Sequence, residues 1–343
     1  MKNNMIVLGY ILFATNFFCF GQNAQAEYKI VNNFHVDGDG GWDYLISDDS
    51  TGRLFISHST KIQVINSKTG KLLGTIEDTR GVHGITLDTE ANRAFISCGG
   101  DSSVMVIDLT TLKLIAKIKV TGENPDAILY DKFSEKVFVY NGLSSNATVI
   151  DAKTNLVLAT IALAGKPEFS VSDGKGKVYV NIEDKSLITV IDSRSLKVEN
   201  TWSLEPGEEP TGLSLDKEAH RLFAVCSNKK MVVMNSENDK IITTLDIGER
   251  SDGCAFDPVL KRVYSSNGEG TLTIVQEENE NSFYVSNSIQ TSKGARTICI
   301  DKKTHHIYLP TAKYGDAPEA TAENLHPRPS IKPGTFTVLD ITP

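Results

Sequence analysis

Lys136-Val-Phe-Val-Tyr-Asn141, Ala147-Thr-Val-Ile-Asp151 and Asn155-Leu-Val-Leu-Ala-Thr-Ile161 follow one another with only short polar turns between them. Each is a run of β-branched and aromatic residues, too short for a helix and lacking the i, i+3, i+4 spacing of an amphipathic one. The opening phrase of this group has a basic residue, then apolar and aromatic residues, then in most copies a small polar exit, and it recurs along the chain. It reads Arg53-Leu-Phe-Ile-Ser57, Arg93-Ala-Phe-Ile-Ser97, Lys136-Val-Phe-Val-Tyr140, Lys177-Val-Tyr-Val-Asn181, Arg221-Leu-Phe-Ala-Val225, Arg262-Val-Tyr-Ser-Ser266 and His306-Ile-Tyr-Leu-Pro310, at intervals of 40 to 44 residues. A shorter run precedes each copy and closes on Asp48, Asp88, Asp131, Asp173, Asp216, Asp257 or Asp301.

Four short β runs per period predict a four-stranded antiparallel blade. One blade alone leaves both faces wet. Seven around an axis cover one another, and closure removes the long sheet edges. The sequence therefore predicts an all-β, seven-bladed β-propeller over residues 27–343. The seventh period ends on a third strand at Phe336-Thr-Val-Leu-Asp340, and the unassigned stretch Tyr28 to Val36 is expected to supply its fourth strand and lock the ring.

Residues 1–26 read differently. Lys2 is the only charge before Glu27, Ile6 to Phe20 is mostly apolar, and the run ends in Ala24-Gln25-Ala26, a pattern that signal peptidase cuts. The expectation is a signal peptide at 1–26 and a periplasmic or secreted protein with no membrane span once it is removed. The formal charge of −8 and the absence of a Lys/Arg cluster argue against nucleic acid as a partner. Cys98, Cys226, Cys254 and Cys299 fall in the repeat at positions that do not pair, so they are read as buried thiols. Nothing in the repeat calls for self-association, and a monomer is expected.

The Tyr/Phe-Val-x-Asn, Val-x-Val-Ile-Asp and Gly-x-x-Pro pattern resembles the YVTN or YncE-like family of exported bacterial seven-bladed β-propellers. Asn124-Pro-Asp-Ala-Ile-Leu-Tyr-Asp131, Lys166-Pro-Glu-Phe169, Asn181-Ile-Glu-Asp184, Gly294-Ala-Arg-Thr297 and Tyr308-Leu-Pro-Thr-Ala312 carry the likeness further. The resemblance implies the propeller fold and no particular reaction. Propellers of related kinds include lactonases and cytochrome d1-like domains, but the Cys-x-x-Cys-His haem attachment motif is absent here, so covalent haem is not implied.

In a propeller, the residues that open the innermost strand and close the second strand share the top face. Counting five back from each strand-one aspartate gives Asp43, His83, Asp126, Glu168, Thr211, Asp252 and Arg296. Six of these seven can carry charge, where packing alone would select apolar side chains. The second strands close with His58, Asn141, Asn181, Glu183, Asn228 and Asn267, which are expected to form an outer polar ring. Trp42 beside Asp43 is expected to wall the pocket. The proline-rich stretch 313–334, with His326 and Arg328, is expected to emerge over the same face as a lid or an unstructured loop.

Converging acids and a histidine suit a divalent metal, and His58, His83, Asp126 and Glu168 are the expected ligands. Arg296 is placed to neutralise part of that field or to grip a substrate carboxylate. Asp37-Gly-Asp-Gly-Gly41 departs from the calcium-loop pattern at its fifth position and reads as a turn. No nucleophile–base pair can be named from spacing. The leading expectation is therefore an exported propeller that binds a small polar ligand or a divalent metal at the channel mouth. A metal-dependent lactonase, lyase or hydrolase using the same ring, and an interaction scaffold docking a protein partner on the top face, stand as alternatives.

Overall fold

A computed structural model describes residues 27–319 and 329–343; the expected signal peptide and the loop residues His326 and Arg328 lie outside these. The described residues form twenty-eight strands, numbered β1 to β28 along the chain, arranged as seven four-stranded antiparallel sheets. The innermost strands are β2 (Trp42–Asp48), β6 (Val82–Asp88), β10 (Pro125–Asp131), β14 (Pro167–Ser172), β18 (Pro210–Asp216), β22 (Ser251–Asp257) and β26 (Cys299–Asp301). The chain is a seven-bladed β-propeller, as the repeat predicts.

Ring closure follows the sequence expectation. The sheet order of the last blade is β1–β28–β27–β26, so β1 (Lys29–His35) pairs antiparallel with β28 (Thr337–Thr342), which in turn pairs with β27 (His306–Thr311). Tyr28, just ahead of β1, crosses into the sixth blade, where its hydroxyl lies 2.9 Å from that of Tyr264 and accepts from Arg262 at 2.8 Å. The start of the described chain thereby ties two neighbouring blades together.

Stability comes from between the blades. The buried apolar residues fall into seven clusters, each shared by two adjacent blades. The recurrent aromatic of the repeat phrase supplies the bulk: Phe55, Phe95, Phe138, Phe223, Tyr264 and Tyr308 are almost wholly buried. Each such side chain removes about 1.5–3 kcal/mol worth of apolar surface from water. The strand-one aspartates cap the turns beneath the blades: Asp131, Asp173, Asp216, Asp257 and Asp301 accept backbone N–H groups two to four residues ahead. That local role explains why an aspartate recurs at this place.

The four described cysteines are free and buried. His305 and His306 hold structure at the bottom of the seventh blade, with Nδ1 atoms 2.6 Å from carboxylate oxygens of Asp257 and Asp340.

Candidate functional site

At the top of nearly every innermost strand the ladder slips. Between Pro125 and Ile128 two residues of β10 face one residue of the second strand, and similar irregularities stand at 42/45, 82/85, 167/170, 210/213 and 251/253. Such a bulge interrupts the alternation of side chains and re-aims one of them. The residue re-aimed is the ring residue: Asp43, His83, Asp126, Glu168, Thr211 and Asp252 are each the second residue of their strand.

The ring backbone is clamped from the side. Ser57 donates to the carbonyl of His83 at 2.5 Å, Ser97 to that of Asp126, Asn181 to that of Thr211 at 2.9 Å, and Ser266 to that of Arg296. Every donor is the penultimate residue of a second strand, and every acceptor belongs to the next blade. Across the ring junction the contact comes from a different position: Thr297, just ahead of β26, donates to the carbonyl of Asp43 at 2.8 Å.

These strands surround a cavity of about 1370 Å³. Asp43, His83, Asp126, Glu168, Asp252 and Arg296 all line it, with Trp42 in its wall against Tyr314 and Phe336. Thr211 does not; its hydroxyl bonds the carbonyl of Ser251 at 2.9 Å. Of the outer set only Glu183 reaches the cavity.

His58, Asn141 and Asn267 close their strands pointing away from the channel, as alternation requires of residues next to the clamp position. His58 is fully buried, stacked on Phe336 at 4.0 Å, with Nδ1 2.6 Å from Gln63. Asn141 bonds Asn146 and Thr148, and Asn267 bonds Thr271 and Thr273. Asn181 is spent on the clamp, and Asn228 stays in a loop, donating to Pro206. The expected outer ring is therefore mostly blade interior, and the expected ligand His58 faces away from the site.

Sequence reasoning missed Lys166, Arg250, Lys293 and Asp316, which also line the cavity. Lys166 and Arg250 immediately precede β14 and β22, two residues before Glu168 and Asp252, so their positions were readable; Lys293 stands six residues ahead of β26 in a longer connection. The charged side chains sort into chains of contact. Arg296 pairs with Asp252 and lies 3.7 Å from Asp43. His83 Nδ1 is 2.7 Å from Asp43 and 3.6 Å from Asp126. Lys166 bridges Glu168 at 2.6 Å and Glu183. Arg250 and Lys293 have no carboxylate partner among the described residues.

Confinement shifts these groups. Burial, with Asp43 and Asp252 nearby and only partly offset by His83 and Lys166, raises Asp126 to about 6. Burial and the Asp126 charge raise Glu168 to about 8, against the pull of Lys166. Burial lowers His83, but the hydrogen bond to Asp43 and the surrounding carboxylates outweigh it and the net shift is upward. Tyr44 on the cavity floor is raised well above its usual value by burial and four carboxylates, so its phenol stays protonated.

One donor of Asp43, of His83 and of Asp126 all lie within 4.8 Å of one another, a spacing that can hold a metal ion. Glu168, expected as a ligand, is instead held by Lys166, and Asp43 takes its place in the group. The described flanks of the loop pair at Tyr314 and Ile331 and stand over this cavity, which Pro318 and Pro329 also line.

No family model matches the chain. The protein YncE of Salmonella typhi is 23% identical over 193 residues, covering 54% of this chain and 54% of its own length, and YncE of Salmonella typhimurium matches equally. YncE of Escherichia coli K12 is 28% identical over 115 residues, 30% of this chain and 32% of that one. The chain thus matches about half the length, at most, of these relatives. Among solved structures, hydrazine synthase of Kuenenia stuttgartiensis superposes with a TM-score of 0.70 at 16% identity, covering 80% of this chain and 94% of that one. A chain of the mitotic checkpoint complex superposes with a TM-score of 0.74 at 11% identity over 99% and 100%. These last two likenesses concern fold alone. Among the described residues no helix is long and apolar enough to cross a membrane.

Proposed function

We propose that this YncE-like seven-bladed propeller is a ligand-binding protein whose top-face cavity holds a divalent transition-metal ion together with a small anionic molecule. The observation that carries the reading is the convergence of Asp43, His83 and Asp126 from three successive blades, with donor atoms within 4.8 Å of one another. Two carboxylate oxygens and an imidazole nitrogen suit Mn²⁺, Fe²⁺, Co²⁺ or Zn²⁺ better than the all-oxygen shells that Ca²⁺ and Mg²⁺ prefer. Three protein ligands leave coordination positions open toward a cavity of about 1370 Å³.

The wall from the sixth and seventh blades suggests what fills them. Arg250 and Lys293, unpaired among the described residues, face the cavity from the sixth and seventh blades, beside Arg296. A carboxylate or phosphate on the ligand fits between this cationic side and the metal side. Arg296 is already committed to Asp252 and Asp43, so its part is to hold those carboxylates in place.

Calorimetric titration of the purified protein with Mn²⁺ and with Zn²⁺ tests this. One ion per chain should bind, and at a free concentration of about 100 Kd the ion should stabilise the fold by about 2.7 kcal/mol. Asp126→Asn and His83→Ala should each abolish that gain while leaving the propeller folded. Flat titrations with both ions would remove the metal from the proposal. Turnover of a lactone or ester by the metal-loaded protein would move the reading from binding to catalysis.

A further inference from the structure

Two aromatic rings narrow the channel partway down. Tyr44 on β2 and Phe169 on β14 belong to blades that face each other across the axis, and their rings meet with centroids 5.5 Å apart. Below this pair lies a second cavity of about 390 Å³, walled by all seven innermost strands. Ile85, Ile128, Val171, Leu215, Phe256 and Ile300 represent its lining, which is predominantly apolar. Its lower rim carries Lys132, Lys217 and Lys302 from the third, fifth and seventh blades.

We propose that this lower chamber is a second binding site, for an amphipathic organic anion consisting of a single carboxylate on an unbranched apolar tail. An apolar enclosure of this size with a few convergent polar groups is the usual form of a small-molecule site. At about 30 Å³ for each small group, the chamber has room for roughly a dozen heavy atoms, which matches a ten-carbon acid. Tyr44 and Phe169 narrow the far end and the lysines stand at the lower rim, so the tail enters from below and the carboxylate stays at the rim.

The rim is arranged for an anion. Lys132 is paired with Glu90 at 2.6 Å, but Lys217 and Lys302 form no ion pair among the described residues. The nearest carboxylates, Asp131 in the lining itself and Asp173, attract Lys217 through space, but each also accepts other donors. Asp131 bonds Ser172 and the backbone of Ser134; Asp173 accepts three backbone N–H groups; Asp49 accepts the N–H of Lys302. Burial and the neighbouring Lys302 charge push the Lys217 ammonium below its ordinary pKa, a penalty that a bound carboxylate would relieve.

The site is independent of the metal cavity and can fail without it. Calorimetric titration with decanoate, below its micelle concentration, should give saturable binding at one per chain. Decanol, with the same tail and no charge, should bind at least about tenfold more weakly, the worth of one charge-assisted contact. Lys217→Gln with Lys302→Gln should weaken decanoate by about tenfold or more while leaving decanol unchanged, with far-ultraviolet dichroism showing the fold intact. Acetate should not compete at tail-saturating concentration. Equal affinity for decanol and decanoate, full affinity in the double variant, or no saturable binding at all would each overturn the proposal.

Discussion

Glu277 offers a test of how the fifth and sixth blades meet. It stands on β24 (Thr271–Asn279), buried, near Asp216 at the end of β18. Asp216 is already held by Lys261 at 2.7 Å and by the N–H groups of Glu218 and Ala219, which keep it ionised. Two carboxyl groups in contact need a proton between them, and Glu277 keeps it: burial and the Asp216 charge raise Glu277 from 4.5 to about 7. A carboxyl whose pKa is higher folded than unfolded binds more protons in the folded chain between those two values. Stability therefore falls as pH rises from about 4.5 and levels off above about 7. Taken with those two pKa values, the penalty is about 1 kcal/mol at pH 5 and about 3 kcal/mol at pH 8. Glu277→Gln keeps a donor toward Asp216 and removes the titration. Urea unfolding of both proteins at pH 5 and pH 8 should show the variant gaining about 2 kcal/mol more at the higher pH. A difference between the two proteins that is the same at both pH values would refute the shared-proton account.

Ring closure depends on β1, whose Phe34 is buried in the cluster between the seventh and first blades and lies against Gly70, where a Cβ would come within 2.4 Å of the ring. Phe34→Ala should cost about 3–5 kcal/mol, read by urea unfolding, whereas Val31→Ala on the exposed side of the same strand should cost under about 1 kcal/mol. Cys98, Cys226 and Cys254 are pushed up to about 12 by burial, so thiol titration of the native protein should detect no fast-reacting groups among the described residues, and all four should react once it is unfolded. Reducing agent should leave the melting temperature unchanged.

The fold was legible because each blade repeats the same solution. Seven aromatic phrases at nearly constant spacing specify seven buried faces, and the missing strand of the last period specified where Tyr28 to Val36 must go. The inner ring was legible for the same reason: a bulge at one fixed distance from a turn-capping aspartate re-aims the same residue in most blades. The outer set failed at His58, Asn141, Asn181 and Asn267 because the last residues of a strand alternate in direction, and one step in register decides whether a polar side chain meets the channel or the neighbouring sheet. Lys166 and Arg250 each stand two residues before a ring residue and were within reach of the repeat, whereas Lys293 lies in the longer connection between β25 (Ser282–Gln290) and β26 and was not. The aromatic pair between the two cavities left a readable trace. Aligning the residue after each ring position gives Tyr44, Gly84, Ala127, Phe169, Gly212, Gly253 and Thr297, two large aromatics among small residues, and those two meet on the axis.

Anomalous scattering from crystals soaked in Mn²⁺ tests the central proposal most directly. The account predicts a manganese peak at the channel mouth, about 2.0–2.3 Å from a carboxylate oxygen of Asp43, a ring nitrogen of His83 and a carboxylate oxygen of Asp126, and no such peak in Asp126→Asn. Manganese found elsewhere on the surface, with His83 still hydrogen-bonded to Asp43 and 3.6 Å from Asp126, would contradict it.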